Sequence, residues 1–373
     1  MERMNTTTRA WIELDRAALE HNFRLLRARL PDTCRLMPAV KANAYGHGAA
    51  LVSRLLGGMG VRDYCVASAA EGAELRRSGV LGNILVLGYT HPDDFGALDF
   101  YDLTQTVVDS DYARLLNEFG KPLRVHVGVD TGMHRLGLDW AAIDAILDVF
   151  DIKNLRIGGV FTHLCAADSE NSGFTLEQNR RFCSVVQALR SRGHRDIETH
   201  ILNSYGILRY PGFGGGLARP GIVLYGMLST EADTLRWAPD FRPVLSLKAR
   251  IESVRTVPRG QGAGYGLAFS AGCDRQIAAV SIGYADGLPR SLSCGAGSVL
   301  INGRRAPIAG RICMDQTLVD VTGIPDVSPG GTAVIIGASG SEAISAVDIA
   351  RQSGTITNEI LSRLGPRLER IVI

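Results

Sequence analysis

The sequence predicts an α/β chain in two parts: a (β/α)8 barrel of the TIM type over residues 12–240, then a mainly β domain over 241–373. Three observations carry this. Short apolar, β-branched runs alternate about eight times with longer amphipathic ones in the first part, the order such a barrel requires. Beyond Pro243 the pattern becomes alternating strands separated by glycine and proline turns. Pro239 and Pro243 punctuate the change, so the boundary is expected near 238–244.

The elements follow in order. Residues 9–14 read as a strand ahead of the barrel and are a candidate to pair with the β domain. Asp15 is placed to cap a helix in which Leu19, Phe23, Leu26 and Leu30 recur at helical spacing. The barrel strands are read at 35–40, 64–67, 84–87, 103–108, 123–129, 157–162, 198–202 and 222–225, with a long helix at about 176–190. In the β domain, strands are read at 245–257, 276–282, 298–301, 311–321 and 332–336. A helical stretch at 345–363 and a last strand at 370–373 close the chain.

Composition narrows the function. The chain has 373 residues, is 46% hydrophobic and carries a formal net charge of +2 with both signs interspersed. That is a globular chain with no basic stripe for a nucleic acid. Its seven cysteines make no CxxC pair and no metal-ligand spacing, so reduced thiols and no metal are expected. No apolar run approaches the ~20 residues that span a bilayer, and the first residues lack the apolar core of a signal peptide. The chain as it stands reads as soluble and cytoplasmic.

One lysine stands out. Of 40 basic residues only Lys41, Lys121, Lys153 and Lys248 are lysines. Lys121 and Lys153 sit in polar surroundings and Lys248 in an alternating strand. Lys41 falls where the run 35–40 gives way to a loop rich in alanine and glycine, which presents its amine to a cleft as a nucleophile. Such a lysine holds pyridoxal phosphate as a Schiff base. His163 and Ser204 also fall at or just after strand ends, where barrel enzymes carry their chemistry.

The chain resembles the alanine racemase family nearly end to end. The resemblance rests on VKANAYGHG (40–48), VDTGMHRLG (129–137), FTHL (161–164), HILNS (200–204), LARPGIVLYG (217–226), GYG (264–266), IGYADG (282–287) and GRICMDQ (310–316). It implies that Lys41 carries pyridoxal 5'-phosphate and acts as one base, and that Tyr265, from the second subunit of a homodimer, acts as the other. It further implies cofactor contacts from Tyr45, His163, Asn203, Ser204, Arg219 and the amides of Gly221 and Ile222. Arg219 is implied to face the pyridine nitrogen, where a permanent cation makes the ring a poorer electron sink and suppresses transamination. His163 and His200 are implied to hold Arg219 and Tyr265. Arg135 and the Met314 amide match the family's substrate-carboxylate contacts, with Asp315 beside them and Tyr284 at the entrance.

Two positions depart from the family. Gly128 stands where a lysine, often carbamylated, is usual, so the negative charge that orients Arg135 is missing. Asn358 stands where alanine racemases carry a tyrosine. Asparagine is shorter and brings an amide that donates and accepts, which points to serine as a substrate. In this the chain is most similar to the racemase domain of the membrane-bound serine/alanine racemases of vancomycin-resistance clusters, which supply D-serine for peptidoglycan precursors. A membrane-embedded domain precedes the racemase domain in that group, which implies tethering to the cytoplasmic face of the membrane through a domain outside this chain. The competing readings are a biosynthetic alanine racemase, a related decarboxylase, which calls for an acid in place of Arg219, and a non-catalytic carrier of pyridoxal phosphate.

Overall fold

A computed structural model describes residues 8–373. The chain forms two compact units, one of residues 20–44 and 48–224, the other of the residues up to Leu19, 45–47 and 225–373.

The first unit is a closed barrel. Parallel strands Asp63–Val66, Asn83–Val86, Thr104–Val107, Leu123–Asp130, Leu155–Phe161 and Glu198–His200 pair in that order. Arg35–Leu36 reaches Asp63–Val66 through a parallel bridge between Ala39 and Cys65. Leu217–Ala218 pairs in parallel with Arg35–Leu36, while the Gly216 N–H donates to the Thr199 carbonyl at 2.9 Å. The ring of eight therefore closes on itself and leaves no free edge. Helices cover it in the expected amphipathic manner. Ser110–Glu118 starts at Asp109, whose carboxylate accepts from the Tyr112 N–H at 2.7 Å, and it buries Tyr112, Ala113 and Leu116. Burying a side chain such as Leu116 stabilises by about 1.5–3 kcal/mol.

The run 222–225 is not the eighth strand. Leu217–Ala218 takes that place, Pro220 follows, and Ile222–Tyr225 is a buried 3-10 turn. A fully apolar run looks alike in either state, and here the proline ends the strand before it.

The second unit is built on the strand Leu245–Val257, buried at every second residue from Leu245 to Ile251. Ala10–Leu14 and Thr332–Ser339 pair with its first part and Arg275–Val280 with its second, all antiparallel. Glu369–Val372 adds in parallel beside Ala10–Leu14. The hairpin Ser298–Ile301 to Arg304–Pro307 turns on Asn302 and Gly303, both at positive φ, the pair a tight hairpin favours. The expected strand 311–321 shortens to Thr317–Asp320. Its first residues instead lie against another loop, the Cys313 and Met314 carbonyls accepting from the Tyr284 and Ala285 amides. The stretch 345–363 is two helices, Ala346–Gln352 and Thr357–Ser362, separated at Gly354 with φ +67°.

Candidate active site

Lys41 follows the first barrel strand, and the turn after it winds the wrong way. Ala42, Asn43, Ala44 and Tyr45 have φ between 49° and 53°. A left-handed turn of L-residues costs roughly 1–2 kcal/mol per residue, so the surroundings must enforce it. They do so through the backbone: the Ala42 amide donates to Glu71 at 2.7 Å, Ala44 to the Val40 carbonyl at 2.8 Å and Ala49 to the Asn43 side chain at 2.8 Å. Lys41 lines a cavity of about 200 Å³ with Thr106, Gly128, Arg135, Phe161 and His163. No recognisable signal in the sequence marks Glu71 for this task.

Arg219 is 4% exposed and is the centre of a buried network. One terminal nitrogen of its guanidinium donates to His200 Nδ1 at 2.5 Å and to the His200 carbonyl at 3.1 Å. The other donates to the Thr162 carbonyl at 2.7 Å and lies 3.5 Å from His163 Nδ1. Its charge also sits 5.2 Å over the Phe161 ring. An arginine has five N–H donors and four of these are engaged, so the Nε–H is left without an acceptor among the described residues. Burial lowers the Arg219 pKa to about 10, which leaves it a cation near neutral pH. Burial and then the Arg219 charge push His163 down to about 3 and hold His200 well below its ordinary value. Behind His200, at 2.9 Å, lies His126, which sequence reasoning missed. Burial lowers His126 to about 4, against the opposing pull of Asp63.

Ser204 is buried and its hydroxyl oxygen accepts from the Gly221 amide at 2.9 Å and the Val223 amide at 3.4 Å. With two donors upon it, that oxygen keeps its own proton to give to an anion. The Gly221 amide is thus directed at Ser204, and Ile222 begins the 3-10 turn beside it. Asn203 caps the helix Ser204–Arg209 through the Gly206 amide and donates to the Leu164 carbonyl, each at 2.9 Å. Its side chain therefore shapes this loop. A lysine at a strand end, a buried hydroxyl with a spare proton and a fixed cation with one spare donor suit an aldehyde, a phosphate and a ring nitrogen in turn. The residues present fit pyridoxal phosphate.

Arg135 is exposed and makes no ion pair or hydrogen bond among the described residues. At Gly128 an added Cβ would lie 3.2 Å from the Val107 carbonyl, so a side chain here would press on the neighbouring strand.

The remaining predicted residues lie on the second unit. The Tyr45 ring stands 5.5 Å from that of Tyr225. Tyr265 opens a short turn between Gly264 and Gly266, both at positive φ, and is 68% exposed. Tyr284 and Met314 are also exposed, on the two loops joined by the backbone bonds described above. An added Cβ at Gly283 would fall 2.3 Å from the Met314 carbonyl, so only glycine permits that approach. Asp315 pairs with Arg367 at 2.8 Å. Asn358 is the second residue of Thr357–Ser362, whose cap position is Ile356, so it does not cap the helix. Its side-chain oxygen is buried with no hydrogen-bond partner among the described residues.

The chain matches known proteins over its length. The family model of the alanine racemase N-terminal domain covers residues 14–229 and that of the C-terminal domain 244–372. It is 39% identical to an alanine racemase of Carboxydothermus hydrogenoformans over 97% of this chain and 99% of that protein. It is 42% identical to an amino-acid racemase of Enterococcus faecalis and 38% identical to a serine/alanine racemase of Enterococcus gallinarum, over 98% and 96% of this chain. The chain spans only about half the length of those two relatives, 52% and 51%. The solved alanine racemase of Clostridium difficile 630 superposes with a TM-score of 0.92 at 31% identity, over 99% of this chain and 97% of that one. That of Bartonella henselae, with covalently bound pyridoxal phosphate, gives 0.84 at 28%, over 98% and 100%.

Proposed function

The chain belongs to the alanine racemase family, and within it we propose an enzyme that interconverts L- and D-serine as well as L- and D-alanine. Like the family it is an amino-acid racemase dependent on pyridoxal phosphate. When bound, the cofactor captures the amino acid covalently and makes its α C–H acidic. Racemisation removes a proton from one face of the α-carbon and returns one to the other, so two groups must flank it. Lys41 serves one face. Tyr265 serves the other, contributed by the partner subunit of a homodimer. The 68% exposure of Tyr265, beside Leu267 at 69%, supports that origin, because an apolar surface of this kind calls for cover. Arg219 directs its spare Nε–H to the pyridine nitrogen, with His163 and His200 holding it. Tyr45, Ser204 and the Ile222 amide hold the phosphate; the Gly221 amide, read from the sequence as a direct phosphate contact, instead donates to the Ser204 hydroxyl oxygen and orients it, with Asn203 fixing their loop. Arg135 and the Met314 amide receive the substrate carboxylate, with Asp315 and Tyr284 at the entrance.

The observation that carries the serine reading is the unpaired Asn358 oxygen. A buried acceptor without a donor costs about 1–3 kcal/mol. The hydroxyl of serine supplies the donor and the methyl of alanine does not. The Enterococcus gallinarum relative, a serine/alanine racemase by name, supports the same reading; D-serine supply for modified peptidoglycan precursors in vancomycin resistance, and a tether to the membrane through a further domain, are parts of the proposal that rest on the family resemblance alone. The test is to incubate the holoenzyme with L-serine and L-alanine separately and follow the D-isomers by chiral chromatography. Comparable D-serine and D-alanine formation supports the proposal. D-alanine alone leaves an alanine racemase, the second reading, which the solved relatives favour.

A further inference from the structure

We propose that His126 is a positioning residue: it fixes the tautomer of His200, and through it the orientation of Arg219. Arginine has no lone pair to offer. Since Arg219 lies 2.5 Å from His200 Nδ1, that nitrogen accepts and carries no proton. The proton of the neutral His200 ring is therefore on Nε2. His200 is 0% exposed, so this N–H needs an acceptor inside the protein. His126 Nδ1, 2.9 Å away, is that acceptor. The proton of His126 then rests on its own Nε2, on the side of a polar cleft that Arg35, Asp63, Arg124 and Glu198 also line.

Two further features show a place built for this arrangement. The His126 ring occupies space that the neighbouring strand leaves free. An added Cβ at Gly159 would lie 2.8 Å from His126 Nδ1 and Cε1, and one at Gly158 would lie 3.4 Å from Nε2. Neither glycine has a positive φ, so the backbone alone does not require them. His200 in turn stacks on Phe161, ring centroids 4.7 Å apart and planes 7° from parallel, which keeps its ring from turning. With both rings held, only the proton position is left to choose, and His126 chooses it. In the opposite tautomer His200 would point an N–H at the Arg219 N–H, and the guanidinium would have to swing away.

The link from Arg219 to the cofactor nitrogen rests on the proposed function; the tautomer does not. Solid-state 15N spectra of [15N]histidine-labelled holoenzyme, with only 8 histidines in the chain, test both. The parent enzyme is expected to show His200 protonated at Nε2 alone. His126→Asn keeps an acceptor oxygen near the former Nδ1 and should preserve that signal and the parental kcat. His126→Phe removes the acceptor, and Gly159→Ala displaces the ring while His126 remains. Both should lose the single tautomer, shift the cofactor absorption and lower kcat roughly tenfold with little change in KM. The glycine variant carries the test if the phenylalanine variant fails to fold. A proton on His200 Nδ1 in the parent, or an unaltered His200 signal in Gly159→Ala and His126→Phe, overturns the inference. A changed tautomer with unchanged cofactor absorption and kcat confirms the tautomer lock and removes Arg219 from the cofactor nitrogen.

Discussion

The surroundings of Arg219 and those of Tyr265 are opposites. Arg219 is 4% exposed, with four of its five N–H donors engaged and its histidine partners neutral; Tyr265 is 68% exposed on a turn flanked by two glycines. A charge fixed inside the barrel unit and a phenol left in the open suit different tasks. A cation meant to act on a bound ring must be fixed beforehand, in surroundings where its charge is not screened. The proposed function gives Tyr265 to a second subunit, and a group with that task must be left uncovered until that subunit arrives. In the proposed function the barrel unit carries a group fixed in advance, and the β-rich unit a group left uncovered for a partner subunit.

The largest expected effect tests the barrel unit. Lys41→Ala should abolish racemisation and the yellow colour of the holoenzyme, and borohydride reduction of the parent followed by peptide mapping should place the label on Lys41. Label on Lys121, Lys153 or Lys248 breaks the comparison at its first term. Tyr265→Phe should slow both directions by roughly 10²–10⁴, the worth of a positioned acid or base, while cofactor binding survives. Mixing inactive Lys41→Ala and Tyr265→Phe chains should restore some activity through heterodimers. No recovery despite demonstrated subunit exchange would show that each chain builds its own site.

The two units also differ in what holds each together. The β-rich unit also has a buried charge, Asp286, which is 0% exposed and pairs with Arg9 at 2.6 Å and Arg367 at 2.8 Å. It accepts the Gly283 amide at 3.0 Å, so it anchors the loop that carries Tyr284. Asp286→Ala should cost about 3–5 kcal/mol in denaturant melts, as breaking a buried pair does. In the barrel unit the signature is a pH dependence. His126 and His163, lowered to about 4 and 3, and His200, held well below its ordinary value, are neutral when folded and titrate near their ordinary 6.5 when unfolded. Below that value the unfolded chain binds more protons, so stability is complete above about pH 7 and falls as the pH drops through 6.5 towards 4. Each histidine contributes about 1.4 kcal/mol per pH unit to the fall. Urea melts at pH 7.5, 6 and 5 check this, and a flat profile would mean the rings are charged inside the fold.

Much of this organisation was legible in the residues, and the exceptions have physical causes. The alternation of apolar and amphipathic runs announced the barrel, and Asp15 caps its helix as read, accepting the Ala18 amide at 2.8 Å. The run 222–225 was misread because burial on all sides erases the period that separates strand from turn. The run 311–321 was misread because its first half is held by carbonyl contacts to a distant loop. His126 escaped notice because its meaning depends on Gly159 of a neighbouring strand, and a pairing register is not written in either segment alone. The left-handed turn after Lys41 was hidden for a related reason: nothing in KANAY asks for it, and its hydrogen bonds come from Glu71 and from the turn itself.

The smallest expected effect concerns Asn358, which belongs to the β-rich unit yet shares the barrel's trait of a buried polar atom, with the difference that its partner is missing. In the proposed function a serine hydroxyl donates to that oxygen, a hydrogen bond that would contribute about 0.5–1.5 kcal/mol net, roughly a threefold to tenfold preference over alanine. Asn358→Tyr should therefore lower kcat/KM for L-serine several-fold more than for L-alanine. A purely structural role would instead lower both activities together with the melting temperature. That outcome is disfavoured beforehand, because Ile356 holds the cap position and the helix start is tied by Thr357, whose N–H and hydroxyl both donate to the Ser229 carbonyl at 3.1 Å. Steady-state kinetics of the variant on both amino acids, read beside its melting temperature, decides the matter. An unchanged serine-to-alanine ratio would place the selection elsewhere, and the first place to look is Arg135, whose usual lysine neighbour is replaced by Gly128.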